Sequence, residues 1–277
     1  MSRRVCDLSQ TIMKLSPEIL DRIFGFTVLH RETLIACSQD SALSSLVERH
    51  VYYHVIVHIG NGTTGFIGAF EPNHLSTLVS EKPRIRYHVR ILQIQVDFND
   101  NRQPHAYKQL LDAFAKTMLK FPILECIMLT TPKAQAWHWS DVFRMALEDR
   151  LSLPTLKELH ITGSKAFPMS LLDNKGIEKL SLSGSILGES KASCSTLPQL
   201  KSLTLSTHFL SGSFLDWVKS HIRELQALEC IPLSMEWLPE LLKVCSGTLR
   251  RLEIDVTKSL CKVLSCLWKS HTAYNSY

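Results

Sequence analysis

The sequence has no run of 18 uncharged apolar residues, so a membrane-spanning helix is not expected. The charged opening Met1-Ser2-Arg3-Arg4 is followed by no apolar stretch, so no secretory signal is expected either. Both absences point to an intracellular setting, cytoplasmic or nuclear. No two of the eight cysteines form a Cys-x2-Cys pair, and the closest two, Cys261 and Cys266, have no matching His pair. Ribbon-type metal sites and redox pairs therefore lack their spacing. Free thiols packed as small apolar groups are the better account, and no metal is expected. Charge of one sign is not concentrated anywhere: 31 Lys and Arg against 26 Asp and Glu leave a scattered +5. A nucleic-acid footprint is not indicated. No Ser, Cys or Thr has a recognisable base beside it, and no carboxylates pair at an informative spacing. The reading is accordingly not an enzyme, with no catalytic residue and no cofactor assigned.

What is present suffices for a packed core. The chain has 277 residues, 45% of them hydrophobic and 21% charged, which fits one large or two small globular domains. Helices are expected first. Ser16-Pro17-Glu18 combines a hydroxyl N-cap, a proline at the first helical position and an acid in the first turn. Ile19, Leu20, Ile23 and Phe24 follow on one helical stripe, and Gly25 ends it. A second short helix is expected over Glu32 to Cys37 and a third from about Asp40 to Glu48. The period then changes to two: Val55, Val57 and Ile59 alternate with Ile56 and His58, as in a strand. His50, His54 and His58 are spaced by four but straddle this change, so they share no helix face. His54 and His58 are expected on a solvated strand face.

From residue 89 onward an apolar residue recurs at positions 1, 4 and 6 of a short segment. The seven triplets are Val89-Leu92-Ile94, Leu124-Ile127-Leu129, Leu156-Leu159-Ile161, Ile177-Leu180-Leu182, Leu200-Leu203-Leu205, Leu225-Leu228-Cys230 and Leu249-Leu252-Ile254. Their successive offsets are 35, 32, 21, 23, 25 and 24 residues, the last four within the range of leucine-rich repeats. Pro122, Pro154 and Pro198 stand two residues before the first member of three triplets and punctuate the repeat at one point. The Asn or Cys that usually follows the last apolar position is missing, so the repeats are degenerate. The expected fold is α/β: an N-terminal helical module over 10–53, then a leucine-rich-repeat solenoid with a curved parallel sheet over 54–277. The repeats are clearest over 124–256. Leu260, Val263, Leu264, Leu267 and Trp268 lie on one helical stripe, so a capping helix is expected over 257–269.

Leu15-Ser16-Pro17-Glu18-Ile19-Leu20-Asp21-Arg22-Ile23-Phe24 resembles the opening of an F-box. Glu32 to Ser38 and Arg49-His50-Val51-Tyr52 sit where that family has its Ala-Cys-Ser and Arg-His-Leu-Phe signatures. The order and spacing are similar to the F-box proteins of mushroom-forming fungi, which often continue into degenerate leucine-rich repeats. The resemblance implies a substrate-recognition adaptor of a Skp-cullin-F-box type ubiquitin ligase. Its partners would be a Skp-type adaptor, through it a cullin, and a substrate protein of unknown identity. The resemblance places Leu15, Pro17, Ile19, Leu20, Ile23, Leu34 and Ile35 in the adaptor-docking surface or its supporting core. Ser16 stands in place of the family's first proline, and Gln39 to Ser44 lacks its apolar-Cys-Arg-x-Trp run.

In a leucine-rich repeat, positions 3, 5 and 7 face the concave side. Ile91, Gln93, Met128, His160, Ser181, Thr204, Glu229 and Glu253 are the candidate substrate-binding residues on that face. The 21 residues at the three positions include two basic and four acidic ones, which favours a peptide or protein ligand over a phosphate-bearing one. Ile91, Cys126 and Met128 would supply an apolar anchor, and Trp137-His138-Trp139 is a second candidate knob. Two alternatives stay open: a repeat scaffold that binds protein without a ligase, and an NAD(P)-binding oxidoreductase. The second rests only on Gly60-Asn61-Gly62-Thr63-Thr64-Gly65 after a strand. Pro72 cuts short the helix such a loop needs, and no Tyr-x-x-x-Lys pair occurs.

Overall fold

The computed structural model describes residues 16–26, 34, 44–60, 69–97, 104–131, 140–163, 171, 176–184, 200–206, 224–230 and 238–254. Helix α1 spans Pro17–Phe26, with the Ser16 carbonyl accepting from the Ile19 and Leu20 amides. Helix α2 spans Ser44–Val51, so His50 and Val51 are helical and the third helix ends later than the sequence reading placed it. Hydrophobic contact decides this: Val47 and Val51, a turn apart, bury with Leu20 and Leu34 in a small core of their own. Of the second helix, only Leu34 falls within the described residues.

The remaining elements alternate strand and crossover. Strand β1 (His54–Gly60) leads through α3 (Pro72–Glu81) and a 3-10 turn (Pro83–Tyr87) to β2 (Ile91–Asp97). Helix α4 (Pro104–Met118) precedes β3 (Cys126–Thr130), and α5 (Asp141–Leu151) precedes β4 (Glu158–Thr162). Strands β5 (Lys179–Ser183), β6 (Ser202–Ser206) and β7 (Ala227–Cys230) follow, then α6 (Leu238–Cys245) and β8 (Arg251–Ile254). All eight strands form one parallel sheet in strict chain order. Crossovers of one hand between successive neighbours return on the same side of a sheet, so among the described residues one face receives the helices and the other does not.

Burial follows that division. All members of the first six triplets are buried, and they share one core with Leu75 and Val79 of α3, Phe114 of α4 and Phe143 of α5. Each fully buried Leu or Ile stabilises the fold by about 1.5–3 kcal/mol. The alternate residues of β2 are only half-buried. Pro122 and Pro154 lie in turns just before β3 and β4, while Pro198 lies outside the described residues. Two glycines are sterically required. A Cβ on Gly60 would sit 1.9 Å from the Asp97 carbonyl oxygen of the neighbouring strand. Gly163 has φ of 81°, and a Cβ there would lie 2.1 Å from the Thr131 carbonyl oxygen. Close approach of β2 therefore accounts for Gly60 without a pyrophosphate. Residues 61–68, the rest of the Gly-rich segment, lie outside the described residues.

The helical pair α1 and α2 is tied to the sheet by Tyr52, which packs against both cores, and by Glu48. The Glu48 carboxylate is buried and takes both of its oxygens to Arg84, at 2.8 Å each, with Lys82 at 3.9 Å. A bidentate guanidinium fixes orientation as well as charge, so this pair sets how α2 meets the 3-10 turn. His88 lies close by, and burial lowers its pKa below the ordinary imidazole value, with Arg84, Arg49 and Arg90 acting in the same direction.

One expectation fails at the far end. Leu252 holds the position that is buried in the other six triplets, yet it is 44% exposed, and Leu249 and Ile254 are only partly buried. The last strand thus presents apolar surface, which is where the segment 257–269, outside the described residues, was expected to pack. Truncation after Thr257 should lower the melting temperature by about 5 °C and reduce solubility. A truncated chain that melts like the full one would show that this segment covers nothing.

Candidate functional site

The strand register assembles the face opposite the helices. Position 3 runs laterally as His54, Ile91, Cys126, Glu158, Lys179, Ser202, Ala227 and Arg251. Position 5 runs as Ile56, Gln93, Met128, His160, Ser181, Thr204, Glu229 and Glu253. All eight candidate substrate-binding residues therefore lie on one continuous face, in two adjacent rows. Most are half-buried, as expected of side chains standing on an uncovered sheet. Their polar groups already pair within and between the two rows. His54 Nε2 lies 3.0 Å from Gln93 Oε1, the Thr204 hydroxyl donates to Glu229 at 3.3 Å, and Arg251 donates to Glu253 at 2.7 Å.

Two placements differ from the sequence reading. His58 is buried, not solvated, because the chain returns at Phe70 and pairs with β1 there. The His58 amide donates to the Phe70 carbonyl, and the Phe70 amide donates to the Ile56 carbonyl. Cys126 is also buried, so it cannot act as an exposed anchor, whereas Ile91 and Met128 are half-buried. The Trp137-His138-Trp139 segment lies outside the described residues.

The most featured part of the face lies over β2 to β4. Tyr53, Ile91, Glu125, Cys126, Thr155, Lys157 and Glu158 line a depression of about 440 Å³. Desolvation pushes the Cys126 thiol up to about 12, and the Glu158 charge adds to the effect. The thiol is therefore protonated and inert as a nucleophile at neutral pH. Glu158 forms an ion pair with Lys179, whose pKa rises through that hydrogen bond, and its other oxygen lies 3.7 Å from His160 Nε2. Sequence reasoning treated these residues singly, yet the triplet alignment already put Cys126 and Glu158 at the same position of successive strands.

One position earlier, at the strand openings, charges alternate across the sheet: Arg90, Glu125, Lys157, Glu178 and Lys201. Arg90 pairs with Glu125 at 3.0 Å, and Glu178 pairs with both Lys157 at 3.2 Å and Lys201 at 2.7 Å. Ordered opposite charges on neighbouring strands favour this register.

The candidate docking residues of α1 divide cleanly. Ile19 and Ile23 are 47% and 41% exposed, whereas Leu20 and Leu34 are buried in the small core. Pro17 opens the helix, and Leu15 and Ile35 lie outside the described residues. Among the described residues, no helix is long and apolar enough to cross a membrane. No model of a known protein family matches the chain, and no curated protein is significantly similar to it in sequence.

The ladder sets a pH dependence. Hydrogen bonds from Lys201, then Lys157, hold Glu178 below the usual carboxylate value. A depressed carboxylate contributes stability that is complete above about pH 4.5 and is lost as pH falls through the folded value. Glu178→Gln should therefore lower the melting temperature at neutral pH by about 1–3 °C, as suits a partly exposed pair. The difference should shrink in acid as pH falls through that folded value, as followed by circular dichroism. An equal loss at neutral and acid pH would show that the charge is not what matters.

Proposed function

We propose that the chain is a substrate-recognition adaptor of a Skp-cullin-F-box type ubiquitin ligase. It is non-catalytic and intracellular. Residues 10–53 act as an F-box-like module that docks on a Skp-type adaptor, and through it on a cullin. The rest acts as a degenerate leucine-rich-repeat array that holds a substrate protein on its uncovered sheet face. The observation that carries the reading is the split on α1. Ile19 and Ile23, one turn apart, face outward, while Leu20 on the same helix is anchored in a core shared with Leu34, Val47 and Val51. Two exposed isoleucines on a fastened helix are a surface suited to an apolar partner groove. The uncovered face supports the second half: its rows mix short polar side chains with Ile91 and Met128, and acids with few bases, which suits a peptide or protein ligand.

Ile19→Asp with Ile23→Asp tests the docking half. Both side chains are exposed, so folding should be untouched, while adaptor affinity should fall at least about 100-fold. Leu34→Asp is unsuited as a docking probe, since a buried charge there would unfold the small core. Wild-type chain that does not bind the adaptor at micromolar concentration would leave a protein-binding scaffold without a ligase role. Met128→Glu with His160→Glu tests the other half: capture of substrate protein should be lost and adaptor binding kept. Capture that survives this pair places the substrate site elsewhere on the chain.

A further inference from the structure

We infer that Cys126, Glu158 and His160 form a binding site for one divalent transition-metal ion of the zinc type on the uncovered sheet face. The inference stands apart from the ligase reading. Cys126 and Glu158 are register partners on β3 and β4, and His160 follows Glu158 by two residues on the same side of the same strand. One ligand atom from each, the Sγ, a carboxylate oxygen and an imidazole nitrogen, lie within 4.8 Å of one another. A parallel sheet fixes the backbone positions of the three residues, because neighbouring strands and alternate residues set two edges of the triangle.

The donor set chooses the class of ion. One sulfur, one nitrogen and one oxygen suit a borderline ion such as Zn²⁺ or Co²⁺, not the hard, all-oxygen preference of Ca²⁺ or Mg²⁺. Tetrahedral binding at bond lengths of roughly 2.0–2.3 Å needs donors about 3.5 Å apart, so the triangle must draw in by about 1 Å. Glu158 and His160 are the members free to move: each side chain is about one-third exposed, whereas Cys126 is buried and acts as the fixed corner, its thiol proton passing to solvent as the metal–sulfur bond forms. The Lys179 ammonium pairs with Glu158 Oε1, leaving Oε2 on the His160 side. Lys179 is 59% exposed, so it can withdraw to solvent when a cation arrives. Three protein ligands leave a fourth position, and Cys126 and Glu158 line the depression of about 440 Å³ from which water or a partner's side chain would fill it.

The test is a titration of the full, reduced, metal-stripped chain with Co²⁺, read by thiolate-to-cobalt charge transfer in the near ultraviolet. One equivalent should saturate the band, and Zn²⁺ should displace it. Cys126→Ser should abolish the band. His160→Ala, at a partly exposed position that leaves folding intact, should weaken Co²⁺ binding at least tenfold with the melting temperature in the absence of metal unchanged. The chain has other cysteines, so the variants decide. A band that persists in Cys126→Ser, unchanged affinity in His160→Ala, or no saturable band in the wild-type chain would each overturn the assignment.

Discussion

One carbonyl on each strand holds the sheet in step. At each strand opening, two successive amides of the next strand converge on it: Glu125 and Cys126 on Arg90, Lys157 and Glu158 on Glu125, Glu178 and Lys179 on Lys157. The same arrangement joins β1 to β2 and continues through Arg250 and Arg251 on Gln226 at the far edge. Because a one-residue slip in a strand turns every side chain to the opposite face, this shared acceptor keeps all the apolar triplets pointing to one side. The core, the polar rows and the charge ladder are consequences of that register.

The two faces then take different work. The helix side holds the buried columns, completed among the described residues by α3, α4, α5 and α6. The other side stands uncovered, and its properties change along the sheet. Over β2 to β4 it carries Ile91, Met128 and the buried Cys126 beside Glu158 and His160; over β5 and β6 it carries mostly hydroxyls. Over β7 and β8 it carries Ala227, Glu229, Arg251 and Glu253. The helical pair α1 and α2 is fastened at the edge of β1, through Glu48, Arg84 and Tyr52. The proposed adaptor-docking helix α1 packs on α2 through Leu20, and the oriented ion pair holds α2 to the sheet domain.

The strands were legible because burial on one face writes itself into the sequence as positions 1, 4 and 6. Six triplets obey it fully, and the register pairs the predicted face residues one with the next. What the pattern missed has physical causes. His58 looked solvated because alternation alone cannot show that Phe70 comes back to pair beside it. The end of α2 was misplaced because the apolar stripe was followed only to Val47, while Val51 belongs to the same core. Leu252 fits the inward position yet stays exposed, since burial at a sheet edge depends on what lies beyond it. Cys126, Glu158 and His160 went unread as a group because metal motifs are sought at short spacing, whereas this triangle is built across 32 residues by the strand register. The repeat alignment held that information: the same position on successive strands means lateral contact.

In the proposed function, docking on α1 and recognition on the uncovered face are separate. Hydrogen exchange on the full chain, with and without a Skp-type adaptor, tests it most directly. The account predicts that the adaptor slows exchange in α1, Pro17–Phe26, while the amides of β3 and β4 exchange as in the free chain. Protection over Cys126–Thr130 and Glu158–Thr162 with none over α1 would contradict it.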